Sequence, residues 1–197
     1  MIRMAMASDS KEILKIYAPY IKDTAISFET EVPTIVEFSL RIQMITKQYP
    51  FLVYTIDNEI VGYAYASRHR ERAAYLYNVE MSIYFLPEYH GSGKAYSLYD
   101  CLLVLLGELG YKNAYAVYTE PNVKSMRFHQ KFGFKLIGTH HKTGYKFGKW
   151  HDVTWLEKTI REHDETPKGI LSINQISSEY LESLFSLYWR NRNEKKR

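Results

Sequence analysis

Three segments of this chain, residues 51–56, 60–67 and 74–85, are rich in β-branched and aromatic side chains and follow one another with only short polar breaks. Parallel neighbours need crossovers of a dozen or more residues, so breaks this short dictate antiparallel strands in one sheet. Asp57-Asn58-Glu59 is the turn signal of the first hairpin. Downstream the period changes. Residues 94–108 carry leucines at helical spacing and end at Gly107 or Gly110, residues 114–119 read as a strand, and residues 122–131 read as a helix stopped by Gly133. Residues 135–145 and 153–158 are closing strands. Upstream, residues 2–6 suit an opening strand. Ser8 and Asp9 supply caps, with Glu12 three residues after Asp9, and Ile13, Ile16, Tyr17 and Tyr20 form one helical face. The alternation of Val36, Phe38, Leu40, Ile42 and Met44 fits a strand, but Thr34 and Glu37 have capping-box spacing, and cap and length together favour a helix to about Gln48. The order predicts an α/β (α+β) fold around one twisted, mostly antiparallel sheet flanked by helices.

The pattern breaks after Thr159. Residues 161–169 are charged and contain Pro167, whereas residues 173–188 resume a helical period at Ile176, Tyr180, Leu184 and Tyr188. The expected organisation is one domain over residues 1–160, then a charged linker and an amphipathic helix with a basic end over residues 161–197. The run from Arg190 to Arg197 reads as a solvated terminus.

Twenty-six basic and 22 acidic side chains leave a net charge of +4 without an extended basic stripe, which suits an anionic ligand but argues against nucleic acid. The single cysteine, Cys101, sits among leucines and forms no intramolecular disulfide. His140-His141 and His151-Asp152 lack a third ligand at useful spacing, so no metal is expected. No segment has the length and apolarity of a membrane span or leader, and the expected location is the cytoplasm. Eighteen tyrosines exceed the needs of a core; most read as compositional drift, while some suit a pocket or an interface.

His90-Gly91-Ser92-Gly93-Lys94-Ala95 joins the last strand of the antiparallel run to the leucine helix. Glycines there let backbone N–H groups converge at a helix N-terminus, where a phosphate is favoured; taken alone, the turn reads first as a tight connection. The stretch resembles the acyl-CoA loop of GNAT N-acetyltransferases, with Gly93 and Ala95 in its last two places and His90 in place of the usual glutamine or arginine. The likeness extends to the phosphinothricin N-acetyltransferase group through Ser27-Phe28-Glu29-Thr30-Glu31, Tyr49-Pro50-Phe51-Leu52-Val53, Gly62-Tyr63-Ala64-Tyr65-Ala66 and Gly144-Tyr145-Lys146-Phe147-Gly148-Lys149-Trp150-His151-Asp152-Val153. It spans residues 2–158.

The resemblance implies a GNAT fold holding acetyl-CoA in a V-shaped opening between the strands near Glu80 and Val117, direct transfer to the amine of a small amino-acid-like molecule, and a homodimer. It assigns amine deprotonation to Glu80 and a proton-donating role to His129, which otherwise reads as a packed core histidine. It assigns cofactor contacts to Ile83, Tyr84, Phe85, residues 90–95 (His90, Gly91, Ser92, Gly93, Lys94, Ala95), Asn122 and Ser125; Asn122 also reads as a helix cap. Acceptor contacts fall to Phe28, Arg70, Arg72, Tyr75 and Tyr84, the two guanidinium groups suiting an acidic amino acid, although Arg68-His69-Arg70-Glu71-Arg72 also reads as an exposed turn. Acetylation of protein N-termini and non-catalytic acyl-CoA binding are the alternative readings.

Overall fold

The computed structural model describes the backbone of residues 1–193 and side chains through residue 190. Among the described residues the elements run β1 (Ile2–Met4), α1 (Ser10–Lys22), α2 (Ile35–Thr46), β2 (Phe51–Ile56), β3 (Glu59–Arg68), β4 (Asn78–Phe85), α3 (Lys94–Leu109), β5 (Asn113–Thr119), α4 (Val123–Lys131), β6 (Lys135–Lys146), β7 (Lys149–Thr159) and α5 (Ser178–Asn193). The seven strands form one sheet in the order β1-β2-β3-β4-β5-β7-β6. All neighbours are antiparallel except β4 and β5. The predicted α+β sheet is therefore present.

Helices cover both faces. Against one face α1 and α2 seal a cluster of Ile13, Ile16, Ile21, Phe38 and Ile42 over Phe51, Val53 and Tyr63. The capping box read at Thr34 and Glu37 is formed, with Glu37 N–H donating to Thr34 Oγ1 and the Glu37 carboxylate accepting from Thr34 N–H. Against the other face lies α3, which is apolar nearly all round: Leu98, Tyr99, Cys101, Leu102, Leu105, Leu106 and Leu109 are fully buried. A helix with no polar stripe must be covered on both sides. The sheet covers one side, and α5 returns to cover the other with Leu184 and Phe185. The Ser97 hydroxyl donates to the Tyr188 carbonyl and fastens the two helices. The C-terminal helix thus shares the core of the preceding residues. From Glu194 on, the basic end lies outside the described residues.

Several boundaries differ from the sequence reading. The strand expected from residue 74 starts at Asn78, because Ala73–Tyr75 make one 3₁₀ turn and the chain enters the sheet only where Tyr77 accepts from Lys112 N–H, next to the start of β5. β7 begins at Lys149, not residue 153, because a tight turn through Phe147 and Gly148 pairs Trp150 with Tyr145. Asp9 does not cap α1 through its side chain; its carboxylate accepts from Arg3 and from Met6 N–H. The helical pattern from residue 173 begins as a 3₁₀ turn, Ile173–Gln175, and becomes α5 only at Ser178. No described helix is long and apolar enough to cross a membrane.

Candidate active site

The two parallel strands are paired only briefly. Their register runs from Asn78↔Asn113 to Glu80↔Tyr115 and stops there. Beyond that point β4 and β5 part, and a cleft of about 520 Å³ lies between and in front of them. Glu80, Ile83 and Tyr84 line it from β4, and Asn122, Ser125 and His129 from α4 and its cap. Phe28, on the α1–α2 loop, lines it as well.

Glu80 stands at the fork, where the register ends. Burial raises its carboxyl above the ordinary glutamate value, because the ionised form loses hydration. His129 is 6% exposed, and burial lowers its imidazole below the ordinary histidine value. Its Nδ1 lies 2.9 Å from the Ser125 carbonyl. A carbonyl only accepts, so Nδ1 carries the proton and the neutral ring presents an unprotonated Nε2. Asn122 caps α4 by accepting from Ser125 N–H at 3.0 Å, which fixes the first turn, with Ser125 on it and His129 one turn further on.

At the far end of β4 the chain turns through residues 86–93 into α3. Gly93 is the N-cap residue at φ +84°, a left-handed conformation that favours glycine. Its neighbour Ser92 is tied down by donating to the Tyr89 carbonyl. Gly91 is exposed, Lys94 and Ala95 open the helix, and the Lys94 ammonium lies 5.5 Å from the centre of the Tyr89 ring. Phe85 is buried in the core, and its carbonyl accepts from Tyr20 at 2.6 Å. His90 Nε2 lies 3.1 Å from the same carbonyl and 3.0 Å from the Tyr20 hydroxyl, so this ring braces the loop against α1.

Arg70, Arg72 and Tyr75 are exposed on the β3–β4 connection and form no part of the cleft wall. The Arg70 guanidinium lies over the Tyr75 ring at 5.7 Å. The structure instead brings forward residues that the sequence reading left aside. Tyr17, Glu29, Tyr65 and Ser82 all line the cleft. The Glu29 carboxylate is held by Arg41, with Nη1 to Oε1 at 2.7 Å, and accepts from the Tyr17 hydroxyl at 3.1 Å. Burial pushes the Tyr17 phenol up to about 12, so it remains a donor.

A clamp from the β6–β7 hairpin holds the loop that carries Phe28 and Glu29. Lys146, 5% exposed, donates to the carbonyls of Ile21 at 2.7 Å and Ser27 at 2.6 Å. His151 Nε2 bonds to the Lys146 carbonyl at 3.1 Å. Gly144 leaves the space that the Phe28 ring fills: a Cβ there would lie 2.1 Å from Phe28 Cε2. The Gly-Tyr-Lys…Trp-His-Asp run therefore has a structural reason at the site.

Cys101 is buried and its thiol is pushed up to about 12, which keeps it protonated. Among the described residues no group of three or more metal-ligating side chains comes together, and His141 bonds to Asp152 at 2.8 Å.

Residues 2–155 match the acetyltransferase (GNAT) domain family. The phosphinothricin N-acetyltransferase of Streptomyces viridochromogenes is 32% identical over 175 residues, covering 89% of this chain and 95% of that protein. An L-methionine sulfoximine/L-methionine sulfone acetyltransferase of Salmonella typhimurium is 30% identical over 115 residues, 58% of this chain and 67% of that one. Among solved structures, a phosphinothricin acetyltransferase from Sinorhizobium meliloti in complex with acetyl-CoA superposes with a TM-score of 0.80 at 31% identity, covering 92% of this chain and 97% of that chain.

Proposed function

The chain belongs to the GNAT acetyltransferases, and from that premise we propose that Glu80 and His129 serve direct transfer of an acetyl group from acetyl-CoA to the α-amino group of a small amino acid. The observation that carries this reading is the fork: β4 leaves β5 at Glu80, and the carboxyl and the imidazole line the cleft so opened. The pantetheine arm takes the place of the missing strand pairing along Ile83, Tyr84 and Phe85. The pyrophosphate sits at Gly91, Ser92, Gly93 and Ala95 on the first turn of α3, where N–H groups and the helix dipole favour an anion, with Lys94 as counter-charge. Asn122 and Ser125 flank the arm from α4.

An α-amino group with a pKa of about 8 is mostly protonated at pH 7, which costs roughly 1.4 kcal/mol. Glu80 takes that proton. The amine attacks the thioester carbon, and the nitrogen of the tetrahedral intermediate sheds its second proton to His129 Nε2. The imidazolium so formed returns that proton to the leaving CoA thiolate. No acetyl-enzyme forms, since the Cys101 thiol is buried and protonated. Orientation in the cleft contributes at least as much as proton transfer.

Two copies associate in the same proposal. Strand β6 is a 12-residue sheet edge on which Leu136 and Ile137 are exposed, the kind of edge a second chain covers. The enzyme acts in the cytoplasm.

The test is a thiol-release assay with acetyl-CoA and a panel of amino acids, beside calorimetric titration of CoA onto folded protein. Saturable release with an amino acid is expected. No CoA uptake by folded protein ends the proposal.

A further inference from the structure

The cleft carries one charged side chain that the mechanism does not use, Glu29. Among the described residues of its wall the charged side chains are two carboxylates, Glu80 and Glu29, and no lysine or arginine lines it. The neighbouring cations are engaged elsewhere. Arg41 is committed to both oxygens of Glu29, Nη1 to Oε1 at 2.7 Å and Nη2 to Oε2 at 3.4 Å. Lys146 is turned away to the carbonyls of Ile21 and Ser27, and Arg70 and Arg72 lie outside the wall.

Every amino acid brings an ammonium and an α-carboxylate, so these cancel in a comparison between acceptors. The side chain does not cancel. An anionic side chain meets Glu29 with no unpaired cation to answer it; a neutral polar one meets Glu29 and Tyr17 as hydrogen-bonding groups. Discrimination of this kind works through a repulsive element against the wrong ligand.

We propose that Glu29, held in place by Arg41 and Tyr17, is a specificity-determining residue that selects amino-acid acceptors with neutral polar side chains over those with anionic ones. This deepens the N-acetyltransferase reading and rests on it. It also sets aside the acidic acceptor suggested by Arg70 and Arg72.

The experiment compares L-methionine sulfone, neutral in its side chain, with L-phosphinothricin, which carries a phosphinate. Thiol release from acetyl-CoA is followed for the wild type, Glu29→Gln and Glu29→Asp. The wild type is expected to favour the sulfone in kcat/KM. Glu29→Gln frees Arg41 and is expected to move the kcat/KM ratio by about tenfold toward phosphinothricin, the scale of one charge contact in a half-solvated site. KM for acetyl-CoA stays unchanged. Glu29→Asp keeps the charge and the wild-type ratio, which separates specificity from mere packing. Wild-type preference for phosphinothricin overturns the inference whether or not the variants fold, and so does an unmoved ratio in a folded Glu29→Gln protein. Absence of release with every amino acid sinks the acetyltransferase reading; release with the wrong preference sinks only this inference.

Discussion

Burial displaces Glu80 and His129 in opposite directions, because in both it penalises the charged form. In the proposed mechanism Glu80 must ionise to act, so the acid limb of kcat/KM is expected above the pH of an ordinary glutamate. Glu80→Gln should remove that limb and lower kcat by ~10²–10⁴ with near-normal CoA affinity. A mutant with wild-type kcat across pH would take Glu80 out of the reaction. For His129 the sign concerns stability. Its folded value lies below its unfolded one, so the unfolded chain binds more protons as pH falls below about 6.5. Folding stability is therefore undiminished above that pH and is lost on acidification toward the folded value. Urea titrations at pH 7 and pH 5 should show a smaller acid loss in His129→Gln than in the wild type. At this scale the sequence was legible where a residue has a local signature, as Asn122 does at its cap. It was not legible for Tyr17, Tyr65 or Arg41, which reach the site only because α1, α2 and β3 pack against one another.

The loop between α1 and α2 is held by the β6–β7 hairpin as well as by its own Ser27 and Glu29, which bond to Tyr17 and Arg41. Gly144→Ala pushes the Phe28 ring from its seat, and Lys146→Met strips two carbonyls of their buried donor. Both should raise acceptor KM roughly tenfold or more while leaving acetyl-CoA KM near wild type, since misplacement of a positioning element has that scale. Lys146→Arg should recover less than full activity, because a planar guanidinium does not replace a compact ammonium between two carbonyls. An equal rise in both KM values would mean the hairpin stabilises the fold alone. Most elements were readable from period and caps, α2 through Thr34 and Glu37 and α3 through its leucines. The misread starts of β4 and β7 were set by tertiary contacts, the Tyr77 carbonyl on Lys112 N–H and the turn at Phe147-Gly148, which no local window contains.

For the whole molecule, the match to the family's domain ends at residue 155, yet the core does not. Ile173, Leu184 and Phe185 are buried with the leucines of α3. Each is worth roughly 1.5–3 kcal/mol of burial, so truncation after residue 160 should aggregate or melt far below the full chain in calorimetry. Truncated protein as stable as the full chain would show α5 to be dispensable. The sequence displayed this helix as a period of four but not its address, since an apolar stripe does not say which surface it meets.

Because α5 covers a flank of α3 and follows every strand of the sheet in the chain, the order of synthesis matters. A growing chain that has made the sheet but not yet residues 178–193 has no partner for that apolar flank. The flank is closed only once α5 emerges and docks.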